Sequence, residues 1–202
     1  MTGKIRIISG QWRGRRIPVL DHPELRPTGD RARETLFNWL GPRVIGKRCL
    51  DLFAGSGALG LEAASRGATD VWLIERDRKL AAALFELVSS WPGGDRVRVE
   101  QAEGMHWLQS CEQRFDICFL DPPFGQGLQG RALEALAGSA CCQPGCLVYV
   151  ECDLDEEAAL QPALSQNWKE LRNKRQGRVI LRLLEHRQDS LAKTQGRQGK
   201  SQ

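Results

Sequence analysis

Two short segments of the chain combine residue types that suit ligand binding or catalysis. The first, DLFAGSGALG (51–60), contains a G-x-G-x-x-G spacing at Gly55, Gly57 and Gly60. The second, DPPF (121–124), places a carboxylate before two prolines and an aromatic ring. Each segment follows an apolar run that is typical of a buried strand. Because ligands bind at the carboxyl ends of strands in open α/β sheets, we expect both segments at one sheet edge.

The glycine-rich segment predicts a loop that binds a nucleotide-type cofactor. Its glycines let the backbone approach a ligand, and the small residues Ala58 and Gly60 let the following helix pack closely on the strand. Glu75 ends the next strand, where an acid can bind ribose hydroxyls. Asp51 lies inside the first strand, where a carboxylate would repel a pyrophosphate but pair with a cation. The residues therefore favour S-adenosylmethionine, which carries a sulfonium and an ammonium, over NAD.

The DPPF segment suits an exocyclic amine as substrate. Two prolines remove two backbone N–H donors and stiffen the loop. The carboxylate of Asp121 and the carbonyl of Pro122 can then both point outward as acceptors, which matches the two N–H donors of an amine. Phe124 supplies a flat face on which a base can stack. We therefore predict that the catalytic residues are Asp121, Pro122, Pro123 and Phe124.

Charge is distributed unevenly along the chain, whose net charge is +4. Residues 1–48 hold 11 Lys/Arg against 4 Asp/Glu, whereas residues 49–184 hold 14 against 19. A basic front on an acidic body indicates a segment that binds a polyanion beside a domain with another function. The predicted RNA contacts are seven arginines, with one tryptophan among them as a stacking surface: Arg6, Trp12, Arg13, Arg15, Arg16, Arg26, Arg31 and Arg33.

Together these motifs resemble a known enzyme family. RIISGQWRGRRIP (6–18) and LRPTGDRARETLFNWL (25–40) precede DLFAGSG and DPPF, and this combination resembles the bacterial 16S ribosomal RNA guanine-N2-methyltransferases of the RsmD family. The resemblance spans residues 4–184. It implies a methyl group transferred from S-adenosylmethionine to the exocyclic N2 amine of one guanine in 16S rRNA, with S-adenosylhomocysteine as product. The target base would have to be exposed or flipped to reach the site.

The resemblance also assigns roles to individual residues. Glu75 would bind the ribose hydroxyls and Glu103 would lie near the adenine. Asn or Asp is more usual in the family at position 103, Ala is common where Gly104 stands, and Ser9 replaces a more usual Gly. The implied cofactor-binding residues are Asp51, Phe53, Ala54, Gly55, Ser56, Gly57, Glu75 and Glu103. Four residues could instead touch the cofactor or the target base, and the sequence does not separate these roles: Arg26, Thr28, Asp30 and Arg31.

The elements that must position these residues alternate between strand and helix from residue 48 onward. This alternation predicts an α/β fold with a mainly parallel sheet, and the resemblance makes it a Rossmann-like methyltransferase fold with seven strands. The predicted strands of this sheet are 48–53, 70–75, 96–101, 115–120, 146–152, 167–174 and 178–184. A basic β-hairpin (4–8 and 15–20) and a helix capped by Thr28 or Asp30 come before it.

Three regions follow from this pattern. Residues 1–44 form a basic, RNA-binding extension with the first helix, residues 45–185 form the methyltransferase domain, and the polar, aperiodic segment 186–202 is predicted to be disordered.

Composition excludes several other classes of protein. Seven cysteines in 202 residues are too few for a disulfide scaffold, none forms C-x-x-C, and most are expected in the core. The three histidines fit no metal-ligand spacing, so no metal is expected. No apolar run approaches the ~18 residues of a membrane span, and the N-terminus lacks the apolar region of a signal peptide. We therefore expect a cytoplasmic monomer without membrane contact.

Several alternative functions share part of this pattern. A methyltransferase acting on DNA adenine N6 or on a protein glutamine would use the same DPPF chemistry. A NAD-binding oxidoreductase would share the glycine loop, and a catalytically idle RNA-binding protein would share the basic front. The sequence also leaves open whether naked rRNA or an assembled 30S subunit is the substrate.

Overall fold

The computed structural model describes residues 3–19, 29–123 and 125–187. The predictions for Arg26, Thr28 and Phe124, and those for the segment beyond Arg187, lie outside these residues.

Two sheets form in the described part of the chain. The N-terminal hairpin pairs two short antiparallel strands, β1 (Lys4–Arg6) and β2 (Arg16–Pro18). The seven strands of the larger sheet are β3 (Arg48–Asp51), β4 (Asp70–Glu75), β5 (Val97–Gln101), β6 (Phe115–Leu120), β7 (Cys142–Asp153), β8 (Trp168–Gln176) and β9 (Val179–His186). Their order is β5-β4-β3-β6-β7-β9-β8, in which β3 to β7 are parallel and β9 is antiparallel to both β7 and β8.

The helices alternate with these strands as the sequence predicts. They are α1 (Asp30–Leu40), α2 (Ala58–Ser65), α3 (Arg78–Ser89), α4 (Gly104–Ser110), α5 (Leu128–Ala137) and α6 (Glu157–Asn167). The Asp77 side chain caps α3 by accepting hydrogen bonds from the backbone amides of Lys79 and Leu80. The predicted cap at Asp30 is wrong, because Gly29 precedes α1 without a side-chain cap and Asp30 lies in the first turn.

Several element ends differ from the sequence prediction, and two of them extend a strand by pairing with its neighbour. Strand β7 begins at Cys142 rather than at residue 146, because pairing with β6 extends the ladder through a polar stretch that lacks an apolar signal. Strand β9 continues to His186, which pairs with Trp168, so residue 186 does not begin the tail. Both extensions depend on pairing between strands, which a local pattern does not contain.

Apolar residues pack on both faces of the larger sheet. One cluster joins the sheet to α1, α2 and α3, and the other joins it to α4, α5 and α6. The N-terminal hairpin contributes to the first cluster through four buried side chains, Ile5, Ile7, Trp12 and Ile17. The predicted extension (1–44) and the methyltransferase domain therefore share one core, and removing the hairpin would expose it.

The cysteines lie mainly in this core. Six are buried and Cys111 is half-buried, and all are free thiols. Within the described residues there is no group of three or more His, Cys, Asp or Glu side chains that could hold a metal ion. In the same residues, no helix has the length and apolar character that a membrane crossing needs.

Candidate active site

A cleft of ≈ 710 Å³ opens at the carboxyl ends of the parallel strands. Its wall includes Asp51 at the end of β3, Glu75 at the end of β4 and Asp121 directly after β6. Clefts of about 300–1,000 Å³ are the usual size for small-molecule sites. The two segments singled out in the sequence therefore meet in one cleft, as the parallel strand order requires.

The loop between β3 and α2 lets the helix pack closely on the strand, as the sequence predicts. The amide of Gly60 donates a 3.0 Å hydrogen bond to Oδ2 of Asp51. A Cβ atom at Gly60 would lie 2.2 Å from Cδ2 of Leu73 and 3.3 Å from Cβ of Asp51, so a side chain there would force the buried Leu73 to move. Glycine at this position keeps α2 close to β3, and its amide fixes the orientation of the Asp51 carboxyl group.

Burial changes the acidity of Asp51, which is 1% exposed. Desolvation raises its pKa to about 7, with further contributions from the negative charges of Asp121 and Glu75, against the opposing effect of the Gly60 amide. A carboxyl group with this pKa ionises readily when a cation arrives beside it. Asp51 therefore suits a ligand with an ammonium group.

Glu75 fixes the glycine loop relative to the next strand. One carboxylate oxygen accepts a 2.7 Å hydrogen bond from the amide of Gly55, and the other accepts a 2.7 Å bond from the amide of Asp77. Each oxygen retains a second acceptor position. The carboxylate can therefore hold the loop and still accept a hydrogen bond from a ligand hydroxyl.

The remaining predicted cofactor residues divide into two groups. Four of them line the cleft: Phe53, Ala54, Ser56 and Glu103. The Glu103 side chain also caps α4 by accepting a 2.7 Å hydrogen bond from the amide of His106. Gly57 is not part of the cleft wall; it is buried and its φ of 75° begins α2. Gly57 therefore shapes the turn from behind the wall.

The segment Asp121-Pro122-Pro123 and Glu75 lie on opposite sides of the glycine loop, because β6 and β4 flank β3 in the sheet. Asp121, Pro122 and Pro123 all line the cleft. Pro122 is buried, and its two neighbours are half-buried. The segment begins where β6 ends at Leu120, so it is attached directly to the central part of the sheet.

The charges of the cleft distinguish between cationic and anionic ligands. Among the described residues of its wall are two arginines, Arg31 and Arg76, and six carboxylic acids: Asp51, Glu75, Asp77, Glu103, Asp121 and Glu151. An excess of acids attracts a sulfonium or an ammonium and repels a pyrophosphate. The charge of the cleft wall therefore favours a cationic ligand over one that carries a pyrophosphate.

Sequence reasoning missed Glu151 and Gln176, which line the cleft from β7 and β8. Glu151 is 4% exposed, and its Oε1 accepts a 2.7 Å hydrogen bond from the hydroxyl of Tyr149. An acid inside the apolar run CLVYVEC is the signal that could have identified it. Gln176 donates from Nε2 to Oγ1 of Thr35, which links β8 to α1 at the cleft.

The predicted RNA contacts differ in exposure. Four of the arginines are exposed: Arg6, Arg13, Arg16 and Arg31. Arg31 also lines the cleft. The half-buried Arg15 lies over the Trp91 ring, with its Cζ 5.2 Å from the ring centroid. These five side chains are accessible to a ligand in solution.

The structure contradicts the RNA-binding prediction for Arg33 and Trp12. Arg33 is 0% exposed and bonds to Asp30 at 2.6 Å and to the carbonyl of Arg6 at 3.0 Å. Trp12 is 1% exposed, and its indole N–H donates a 2.9 Å hydrogen bond to the carbonyl of Pro92. Both side chains hold the hairpin against the body of the protein, so neither can reach RNA.

The hairpin is held by a buried acid that the sequence analysis did not single out. Glu62 of α2 is 0% exposed and accepts hydrogen bonds from the amides of Ile8 (2.8 Å) and Ser9 (3.1 Å). It also pairs with Arg66 at 2.7 Å and lies 3.7 Å from Arg33. One carboxylate thus joins the hairpin, α1 and α2.

Comparisons with known proteins identify the family. The family model described as Conserved hypothetical protein 95 matches residues 5–185. The chain is 44% identical over 182 residues to Ribosomal RNA small subunit methyltransferase D of Escherichia coli (strain K12), with 90% of each chain covered. It is 40% identical over 188 residues to the protein of the same name from Haemophilus influenzae, covering 91% of this chain and 95% of the relative.

A solved structure supports the same relationship. The Escherichia coli protein yhhF superposes with a TM-score of 0.82 at 42% identity, covering 92% of this chain and 99% of the other. The predicted Rossmann-like methyltransferase fold is therefore confirmed. With the family model and the relatives covering nearly the whole globular part, the chain belongs to the RsmD family of ribosomal RNA small subunit methyltransferases.

Proposed function

We propose that this protein transfers a methyl group from S-adenosylmethionine to the exocyclic N2 amine of a specific guanine in 16S rRNA. The observation that carries the proposal is the single cleft that contains both the acidic cofactor loop and the Asp121-Pro122-Pro123 segment. Family membership supplies the substrate class, because the relatives are named for small-subunit ribosomal RNA. This substrate would place the enzyme in the cytoplasm.

The cofactor half of the cleft is formed by the β3–α2 loop and the ends of β4 and β5. When bound, S-adenosylmethionine supplies a methyl group made electrophilic by the sulfonium. In the proposal, Asp51 pairs with the ammonium group and Glu75 accepts from the ribose hydroxyls. Glu103 lies near the adenine. The excess of carboxylates in the wall supports these assignments.

The substrate half is the segment after β6. The N2 lone pair of guanine is delocalised into the ring, which makes it a poor nucleophile. The carboxylate of Asp121 and the carbonyl of Pro122 would accept the two N–H bonds and favour the pyramidal nitrogen that develops charge. Asp121 or water would then take the proton that becomes acidic after alkylation. Phe124 would stack on the base, as predicted from the sequence.

The accessible arginines of the hairpin and α1 are proposed to contact rRNA phosphates. They are Arg6, Arg13, Arg15, Arg16 and Arg31, all of which have exposed or half-buried side chains. Arg31 is shared between this surface and the cleft wall, so it would lie close to the target nucleotide. Counterion release by phosphate contacts would make the binding strongly dependent on salt.

The direct test is to identify the methylated nucleotide. Purified enzyme would be incubated with labelled S-adenosylmethionine and, separately, with 30S particles, naked 16S rRNA, DNA and a protein release factor. Mass spectrometry of rRNA from a strain lacking the gene would then locate the unmethylated guanine. We expect N2-methylguanosine at one 16S rRNA position and no label in DNA or protein; label confined to DNA or protein would overturn the proposal.

A binding experiment distinguishes the proposed methyltransferase from the alternative of a NAD-binding oxidoreductase. Titration with S-adenosylhomocysteine and with NADH should give saturable binding of the first ligand only, because the acidic wall of the cleft repels the pyrophosphate of NADH. Saturable binding of NADH alone would contradict the assigned cofactor.

A further inference from the structure

Glu151 is a buried carboxylate of the cleft that has no role in cofactor binding or in the proposed methyl transfer. Glu151 lies on β7, the strand next to β6, and lines the cleft together with Asp121. The parallel register pairs Leu120 with Val150, so Asp121 and Glu151 each follow one residue after this pair. The two acids therefore lie at the same level, Asp121 directly after β6 and Glu151 within β7.

The structure fixes this carboxylate and keeps it largely out of water. Burying a charged group is unfavourable unless hydrogen bonds compensate. The Tyr149 hydroxyl donates to Oε1 at 2.7 Å, and Tyr149 itself is 0% exposed. Burial and the nearby Glu151 charge raise the pKa of Tyr149 well above its usual value, so its hydroxyl remains a donor.

The chemistry of a fixed, buried carboxylate selects a particular partner. It accepts best from two parallel N–H donors. Among the four RNA bases, guanine alone carries two adjacent donors on its Watson–Crick edge, N1–H and one N2–H. Flipped bases are recognised through hydrogen bonds to that edge. Adenine, cytosine and uracil each present an acceptor nitrogen or oxygen beside their donor, which the carboxylate would repel.

We propose that Glu151 selects guanine by accepting N1–H and the adjacent N2–H of the flipped base. The adjacent N2–H is shared between Glu151 and one acceptor of the Asp121-Pro122 pair, and the second N2–H bonds to the other acceptor. Glu151 is thus a specificity-determining residue that contacts the substrate, and Tyr149 is a positioning residue that acts through it. The inference rests on the proposed function, since it concerns the same base in the same cleft.

A base analogue provides a sharp test. 2-Aminopurine keeps the exocyclic amine but carries an acceptor at N1 instead of N1–H. The enzyme would be assayed on 30S particles, or on 16S rRNA, ligated to carry either guanine or 2-aminopurine at the target position. We expect the wild type to favour guanine by about tenfold to a hundredfold in kcat/KM, the value of one or two hydrogen bonds to a charged group.

The variant Glu151→Gln should change this preference. Its amide oxygen accepts from the N2 amine, and its amide nitrogen can donate to N1 of 2-aminopurine but meets N1–H of guanine. We therefore expect kcat/KM for guanine to fall and the preference to disappear or reverse. Tyr149→Phe, which removes only the hydroxyl, should weaken the preference in the same direction by a smaller factor. Glu134→Gln, an exposed site on α5, is the matched control and should keep the wild-type ratio.

Each outcome has a defined meaning. An unchanged guanine-to-2-aminopurine ratio in Glu151→Gln, or an equal loss on both substrates, would overturn the inference, since a purely structural role predicts either. If Glu151→Gln does not fold, as measured by thermal unfolding, an unchanged ratio in Tyr149→Phe overturns it instead. A wild-type enzyme that methylates neither rRNA substrate contradicts the proposed function, and this outcome is distinct from the others.

Discussion

The cleft and the N-terminal hairpin both contain buried charged residues, but burial has opposite consequences in the two regions. In the cleft, Asp51 and Glu151 are nearly inaccessible to solvent yet line the space where ligands would bind. At the hairpin, Arg33 and Glu62 are equally buried, and their bonds are to the protein itself. Buried charge therefore marks proposed ligand contacts in the first region and structural contacts in the second.

Exposed charged residues of the hairpin have the role that buried charged residues have in the cleft, that of proposed ligand contacts. On the hairpin, the proposed RNA contacts are the solvent-facing cations Arg6, Arg13 and Arg16, whose backbone is held in place by buried neighbours. Substitutions in the two regions should consequently separate three readouts: catalytic rate, stability and salt-dependent binding.

The largest effect is expected at Asp121. Asp121→Ala removes an acceptor from the nitrogen on which charge develops, so it should lower kcat by about 10³-fold. Asp121→Asn keeps one acceptor oxygen, so its kcat should lie between those of Asp121→Ala and the wild type. Single-turnover methylation measures the rate, and titration with S-adenosylhomocysteine should show nearly unchanged cofactor binding. Full methyl transfer by Asp121→Ala would show that the proposed mechanism is wrong.

The next effect concerns stability rather than rate. Glu62→Gln removes the buried negative charge between Arg33 and Arg66 and leaves their cations partly uncompensated. We expect a loss of about 3 kcal/mol in the free energy of unfolding, measured by urea denaturation. Glu86→Gln on the exposed side of α3 is the matched control and should change the value by less than about 0.5 kcal/mol. Equal stability of the two variants would mean that Glu62 does not hold the hairpin.

The difference between the two regions also explains which features the sequence could predict. The sheet, the glycine loop and the meeting of Asp51, Glu75 and Asp121 follow from local patterns, because parallel strands place their carboxyl ends together. The roles of Glu62 and Arg33 depend on docking between distant segments. Glu62 bonds to amides 53 and 54 residues away, and no local pattern distinguishes a buried arginine from an exposed one in a basic segment.

Glu151 was missed for a different reason. Its strand was predicted, but a single acid in an apolar run has no partner in the local sequence. Its hydrogen bond to Tyr149 joins residues two apart on one face of β7, whereas its proximity to the Asp121-Pro122-Pro123 segment arises only from the β6–β7 register. Strand order and register are properties of the whole sheet. Element types were therefore more predictable than the composition of the cleft wall.

A smaller effect is expected from pH. Burial raises the pKa of Asp51 to about 7, so between about pH 4 and 7 the folded protein without ligand keeps a proton that the unfolded chain has lost. The contribution of Asp51 to the free energy of unfolding therefore decreases as pH rises from about 4 to 7. A ligand ammonium favours the ionised form, so binding releases the proton. The affinity for S-adenosylhomocysteine should therefore increase by up to about tenfold per unit between pH 5.5 and 7 and then level off.

The matched variant for this measurement is Asp51→Asn, which cannot ionise. Its affinity should be lower at pH 7 and flat between pH 5.5 and 7, a range below the usual pKa of an α-amino group, about 7.7–8.0. Isothermal titration calorimetry in buffers of different ionisation enthalpy also measures proton release directly. The same pH slope in both proteins would show that another group carries the titration.

The smallest effect per residue is expected on the hairpin surface. Arg13→Ala removes an exposed cation, and if that side chain contacts a phosphate, the slope of log K against log salt should decrease in magnitude by about one. The free energy of unfolding should stay within about 0.5 kcal/mol of the wild type. Trp12→Ala, at the neighbouring buried position, should instead cost about 3–5 kcal/mol of stability.

Deleting residues 1–20 would combine both effects, because four core side chains lie in that segment. Point variants therefore separate binding from folding, and an unchanged salt slope in Arg13→Ala, Arg16→Ala and Arg6→Ala would remove the hairpin from the proposed rRNA interface.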